Sequence, residues 1–229
     1  MHHSRSAFLT GASALLLAGP PGIASAVTLD EPATCPALTA TEVRKRLVYG
    51  NDRFVSQTMA HPNQTVERRR DTAVAGQCPF ALVLTCADSR VPPDVVFDRG
   101  LGDLFVCRTA GNVADAIVIG SLQYAVKHYH PPLLVVLGHE KCGAVEATLQ
   151  YLNGATPPPP PEINAVVAAI AKAVTGGMDV ETAVKTNANY VAETLKRQPD
   201  LKALEVVSAY YSMTSGHVSY LRTWPRTSA

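Results

Sequence analysis

The sequence predicts an α/β fold: a central, mostly parallel β-sheet flanked by helices, with an N-terminal helical arm. Two observations carry that prediction. Three runs, at residues 80–86, 103–109 and 132–138, are near-continuously apolar. That is the pattern of strands buried on both faces. Helical periodicity separates the second run from the third and follows the third, at the spacing of crossover connections in a parallel sheet.

The elements follow in order. Residues 1–26 begin with His2, His3 and Arg5, pass through a short apolar middle and end on Ala24-Ser25-Ala26. This predicts an export signal removed after Ala26. Its apolar run is too short to span a bilayer. The expected location is periplasmic or secreted, in a bacterium. Residues 27–38, with Pro32 and Pro36, form a linker, and residues 39–229 form one catalytic domain. The helical arm starts at a capping box, Thr39 with Glu42, and a second helix starts near Thr65. After the first two strands a helix is expected over residues 114–129, and after the third strand another over 142–152. "TPPPPPE" reads as a rigid connector. Two more helices follow, at 163–174 and 179–197. A last strand, "ALEVVSAYYS", turns at "TSG" into "HVSYL".

Composition narrows the function. The 229 residues are 47% hydrophobic and 17% charged, with a net charge of +1. That gives no electrostatic case for nucleic acid or, once the signal is removed, for a membrane. A small-molecule substrate is the expectation. The five cysteines are Cys35, Cys78, Cys86, Cys107 and Cys142, with no C-x-x-C pair, which argues against a disulfide scaffold. Cys107 reads as a core residue. Cys35 and Cys78 each precede a proline on expected surface segments, and their pairing is left open.

Ligands of open parallel sheets bind beyond the carboxyl ends of the strands. Cys86 ends the first strand, and His139 and Cys142 follow the third. The latter two are i and i+3, neighbours if that segment begins a helix. Two thiolates and an imidazole suit Zn²⁺, and three ligands leave its fourth position open, as in catalytic sites. A bare H-x-x-C arises often by chance. Its conjunction with a thiol at the same sheet edge, and with Asp88 and Arg90 beside that thiol, is more specific.

"CADSRVPP", "GDLFVCRTAGN" and "GHEKCGAV" together resemble the β-class carbonic anhydrases, with the likeness running over residues 39–221. The resemblance implies one zinc per chain on Cys86, His139 and Cys142, and reversible hydration of carbon dioxide to bicarbonate and a proton. It makes Asp88 and Arg90 catalytic: Asp88 accepts a hydrogen bond from zinc-bound hydroxide, and Arg90 clamps Asp88. Asp88 becomes a metal ligand only in a closed state, when released from Arg90. Members regulated by bicarbonate carry a tryptophan where this chain has Val83, so the open state is expected. Many relatives carry a glutamine at Arg99 that is thought to donate to substrate; Arg99 is either such a donor or a solvated surface residue. A homodimer or dimer of dimers is implied, with N-terminal helices wrapping the partner. Two other readings stay open: a hydrolase of carbon disulfide or carbonyl sulfide on the same scaffold, and a non-catalytic zinc-binding protein.

Overall fold

The structure is a computed structural model and describes residues 35–226. The expected export signal and the linker up to residue 34 lie outside the described residues. Thr39 caps α1 (Ala40–Val55) through the expected capping box. Its Oγ1 accepts the Glu42 N–H at 3.2 Å, and the Glu42 carboxylate accepts the Thr39 N–H at 2.8 Å. Thr65 caps α2 (Val66–Ala75), a surface helix with no buried residue. The chain then runs through β1 (Ala81–Cys86), α3 (Pro93–Val96), β2 (Leu104–Thr109), α4 (Ala116–Tyr129), β3 (Leu133–His139) and α5 (Gly143–Leu152). It finishes with α6 (Pro161–Ile170), α7 (Val180–Lys196), β4 (Glu205–Tyr211) and β5 (Val218–Trp224).

The sheet order is β2-β1-β3-β4-β5. The first four strands are parallel, and β5 returns antiparallel to β4. Every residue of β1 and of β3 is buried. Alternate side chains serve opposite faces, as the pleat requires. Val83, Val135, Leu137 and Val207 pack with Leu47 of α1 and with Phe97 on one face. Leu82, Leu84, Leu134 and Val136 pack with Leu122 of α4 and Leu195 of α7 on the other. Each such fully buried side chain contributes about 1.5–3 kcal/mol. Two covered faces therefore lock β1 and β3, the strands whose ends carry the candidate ligands.

Several expectations change in detail. Cys107 is half-buried rather than a full core residue, because β2 is an edge strand with four of its six residues half-covered. α1 lays Val43 and Leu47 on the sheet of its own chain. Cys35 and Cys78 do pair in a disulfide, with their Cα atoms 5.3 Å apart. It ties the segment before α1 to the segment before β1. Among the described residues no helix is long and apolar enough to cross a membrane.

Candidate active site

The site forms where β1 and β3 end. Cys86 is the last residue of β1 and His139 the last of β3. Neighbouring parallel strands in register bring these ends to one edge. Cys142 is the N-cap of α5 and not part of a helical turn with His139. The chain turns between them at Lys141, whose φ of +53° lies in the left-handed region. The i, i+3 helical neighbourhood expected from sequence is thus replaced by a strand end, a turn and a helix cap. It still brings the side chains together. One ligating atom from each of Cys86, His139 and Cys142 lies within 4.8 Å of the others, and all three residues are buried.

The donors are prepared for a metal. His139 Nδ1 lies 2.9 Å from the Glu140 carbonyl, which can only accept, so Nδ1 carries the proton. That leaves Nε2 as a bare lone pair, buried and without a partner among the described residues. An unpartnered buried polar atom is costly, and a metal ion answers that cost. The two sulfurs are 4.0 Å apart. The Cys142 S–H, with the Gly111 N–H, pulls Cys86 down to about 4. The same hydrogen bond, then burial and the Cys86 charge, push Cys142 up. Two buried thiolates at this separation need a cation between them. The donor set, two thiolates and one imidazole, fits zinc.

Asp88 stands beside this group and outside it. Arg90 grips it in a fork: Nε to Oδ1 at 2.9 Å and Nη2 to Oδ2 at 2.7 Å. The Arg90 N–H adds a third bond to Oδ1 at 2.9 Å. The Arg90 guanidinium holds the Asp88 carboxyl well below the usual carboxylate range. Its oxygens are therefore acceptors at any ordinary pH.

The family model for carbonic anhydrase matches residues 81–218, from the first residue of β1 to the first of β5. The chain belongs to the carbonic anhydrase family. Carbonic anhydrase 2 of Mycobacterium tuberculosis is 53% identical over 114 residues, which are 50% of this chain and 55% of that protein. The carbonic anhydrase of Mycolicibacterium smegmatis is 53% identical over 109 residues, 48% of this chain and 52% of that protein. The chain thus spans about half the length of the curated relatives it matches. The fold is that of the β class. A tetrameric β-carbonic anhydrase of Sordaria macrospora has a TM-score of 0.60 at 19% identity, covering 80% of this chain and 99% of that one. The Coccomyxa β-carbonic anhydrase has a TM-score of 0.58 at 23% identity, covering 82% and 89%.

Around Cys86, His139 and Cys142, other residues support the candidate donors singled out from the sequence. Arg108, near the end of β2, donates from Nε to the Cys86 carbonyl at 3.0 Å and from Nη2 to the Asp88 carbonyl. It holds the loop that follows β1. A charged residue closing an apolar strand at the same sheet edge was its visible signal. Gly111 donates its N–H to Cys86 Sγ at 3.3 Å. Its φ is +63°, a conformation that favours glycine, and a Cβ there would also press on Ile170 Cδ1 at 2.6 Å. Asn187 of α7 fixes the Gly111 carbonyl at 2.9 Å. Glu140 is drawn down to about 2 by the Thr214 N–H and hydroxyl and by Ser212, and anchors the turn after β3. No local pattern marks Gly111, Asn187 or Glu140, because their partners are distant in sequence. Arg99 is placed elsewhere: it lines a cleft with Phe80 and Asp103, which precede β1 and β2, at the opposite edge of the sheet.

Proposed function

We propose that this protein catalyses the reversible hydration of carbon dioxide to bicarbonate and a proton, with one zinc held by Cys86, His139 and Cys142. The carrying observation is the juxtaposition of three buried donors within 4.8 Å of one another and a carboxylate locked beside them by a bidentate arginine. When bound, zinc supplies Lewis acidity that brings the pKa of water towards neutrality.

The chain's own residues do the rest. Asp88, ionised, can only accept, so it accepts a hydrogen bond from the attacking oxygen and leaves a lone pair of that oxygen turned towards the substrate carbon. Arg90 sets the Asp88 orientation and keeps it off the donor group. Arg108 and Gly111 hold the Cys86 loop still, so that Asp88 and Cys86 keep their relation. A structural zinc site has no use for such a clamped acceptor, which favours turnover over a purely structural role.

The protein acts in an exported, oxidising compartment. The Cys35–Cys78 disulfide supports this, since such bonds persist there and are rare in the cytosol. It assembles as a homodimer or dimer of dimers. Support comes from apolar side chains that a single chain leaves uncovered, with Ile117 at 78% exposure and Tyr124 at 51% on one helix, and Tyr49 at 60% on α1.

The deciding experiment is stopped-flow carbon dioxide hydration on the purified mature protein, with zinc content measured on the same sample. Zinc near one per chain with rapid hydration is expected. A zinc-loaded sample that is inert towards carbon dioxide yet turns over carbonyl sulfide would overturn the proposed substrate.

A further inference from the structure

A second cleft lies at the amino edge of the sheet, away from Cys86, His139 and Cys142, with a volume of about 350 Å³. The Cys35–Cys78 disulfide builds it by joining two chain segments, one leading to Leu38 and the other to Phe80. Arg46, Arg68 and Arg99 all line it, against one carboxylate, Asp103. Asp103 is already engaged: it pairs with Arg68 at 4.0 Å and accepts from Asn63 Nδ2 at 2.7 Å and from the Gly100 N–H at 3.1 Å, which leaves Arg46 and Arg99 as the cleft's remaining cations.

The cations are not balanced. Among the described residues neither Arg46 nor Arg99 forms an ion pair. Both guanidiniums converge on the Phe80 ring, with their central carbons 5.5 and 5.6 Å from its centroid. Arg99 Nη2 is used by the Arg46 carbonyl, while Arg99 Nε is buried with no partner among the described residues. Burial, then the charge of Arg53, holds the Arg99 guanidinium below its ordinary value, against the opposing pull of Asp103 and Asp98. Like charges crowded together, on an aromatic floor and with an unmet donor, are a receptor for an anion.

We propose that this cleft binds a small carboxylate carrying an aromatic or branched aliphatic body. The fork-shaped guanidinium donors match a planar carboxylate. The walls carry Leu38, Phe80, Tyr129 and several prolines, which suit an apolar body better than a fully hydrated inorganic anion. The volume sits at the small end of ligand sites, which limits the body to about one ring.

The test is calorimetric titration of the mature protein, disulfide intact, at low ionic strength. The probes are benzoate, benzamide as its neutral counterpart, and inorganic phosphate. Benzoate should saturate with a Kd of about 1 mM or tighter. Benzamide should bind at least about tenfold more weakly, the order of one charge-assisted hydrogen bond. Arg46→Gln and Arg99→Gln should each weaken benzoate about tenfold on the same grounds. Arg46 is exposed on α1, so its substitution leaves the fold intact. Cys142→Ser should leave benzoate binding unchanged. No saturation, or full affinity in Arg46→Gln, overturns the site. Phosphate binding as tightly as benzoate overturns the ligand class. Benzoate heat that disappears in Cys142→Ser but survives in Arg46→Gln assigns the binding to the metal donors instead, and also overturns the proposal.

Discussion

Removing the Cys35–Cys78 disulfide, by the double change Cys35→Ser and Cys78→Ser, should lower stability strongly and leave the chemistry alone. The bond closes a loop with a sequence separation of 43, enclosing α1 and α2. In the chain-entropy account a loop of that size restricts the unfolded chain by about 13 cal/mol/K, or about 4 kcal/mol at 25 °C. For a domain of this size each kcal/mol moves the thermal midpoint by about 2–4 °C, so the shift should be about 8–16 °C downward. The assay is thermal unfolding followed by circular dichroism, on the oxidised protein, the reduced protein and the double variant. The reduced protein and the variant should agree. Carbon dioxide hydration at 25 °C should persist in the variant, because the bond lies at the amino edge of the sheet and the Cys86, His139 and Cys142 donors at the carboxyl edge. Midpoints within about 2 °C of the oxidised protein would refute the loop argument. Lost turnover with zinc content and fold intact would refute the separation of the two edges.

Three other outcomes are expected. Cys142→Ser removes one of two thiolate donors, so zinc content by elemental analysis should fall from about one per chain to near zero, and hydration with it. Asp88→Asn keeps the donors but replaces an obligate acceptor with a group that can present its N–H, so the variant should stay zinc-loaded and lose about 10²–10⁴-fold in kcat; zinc-loaded Asp88→Asn with ordinary kcat would remove the carboxylate from the mechanism. Asp98 is fully buried, and burial alone would raise its pKa. The Ala60 and His61 N–H groups, at 3.0 and 2.9 Å, and Arg53 Nε at 2.6 Å outweigh burial and hold it low. A depressed carboxyl adds stability above its unfolded value of about 3.9 and loses it as pH falls through the lower folded value. Asp98→Asn should therefore cost about 2 kcal/mol at pH 7, and its urea midpoint should fall less steeply than the parent's below about pH 4. Parallel acid limbs for the two proteins would show that Asp98 is not the group responsible.

The sequence by itself determined the order of strands and helices, the parallel sheet and the Cys86, His139 and Cys142 donors. The reason is that each signal is local. Two-sided burial writes itself as an unbroken apolar run, as in β1 and β3, and the Thr39–Glu42 capping box spans only four residues. The Asp88–Arg90 pair was legible for the same reason, since its partners are two residues apart. What the tertiary structure decided was pairing across long separations. Cys35 meets Cys78 only because the α1–α2 arm folds back on its own sheet. Arg108 reaches the Cys86 and Asp88 carbonyls across a strand pairing whose register no dipeptide encodes. The edge position of β2, which leaves Cys107 half-covered, follows from sheet order and not from the apolarity of its run. In the sequence Arg99 reads equally as a donor to substrate or a solvated surface residue, and its place at the amino edge appears only once Phe80 and Arg46 have been folded against it. Side-chain periodicity records which face of an element is buried. It does not record which distant neighbour buries it, because that choice is made by packing the whole chain at once.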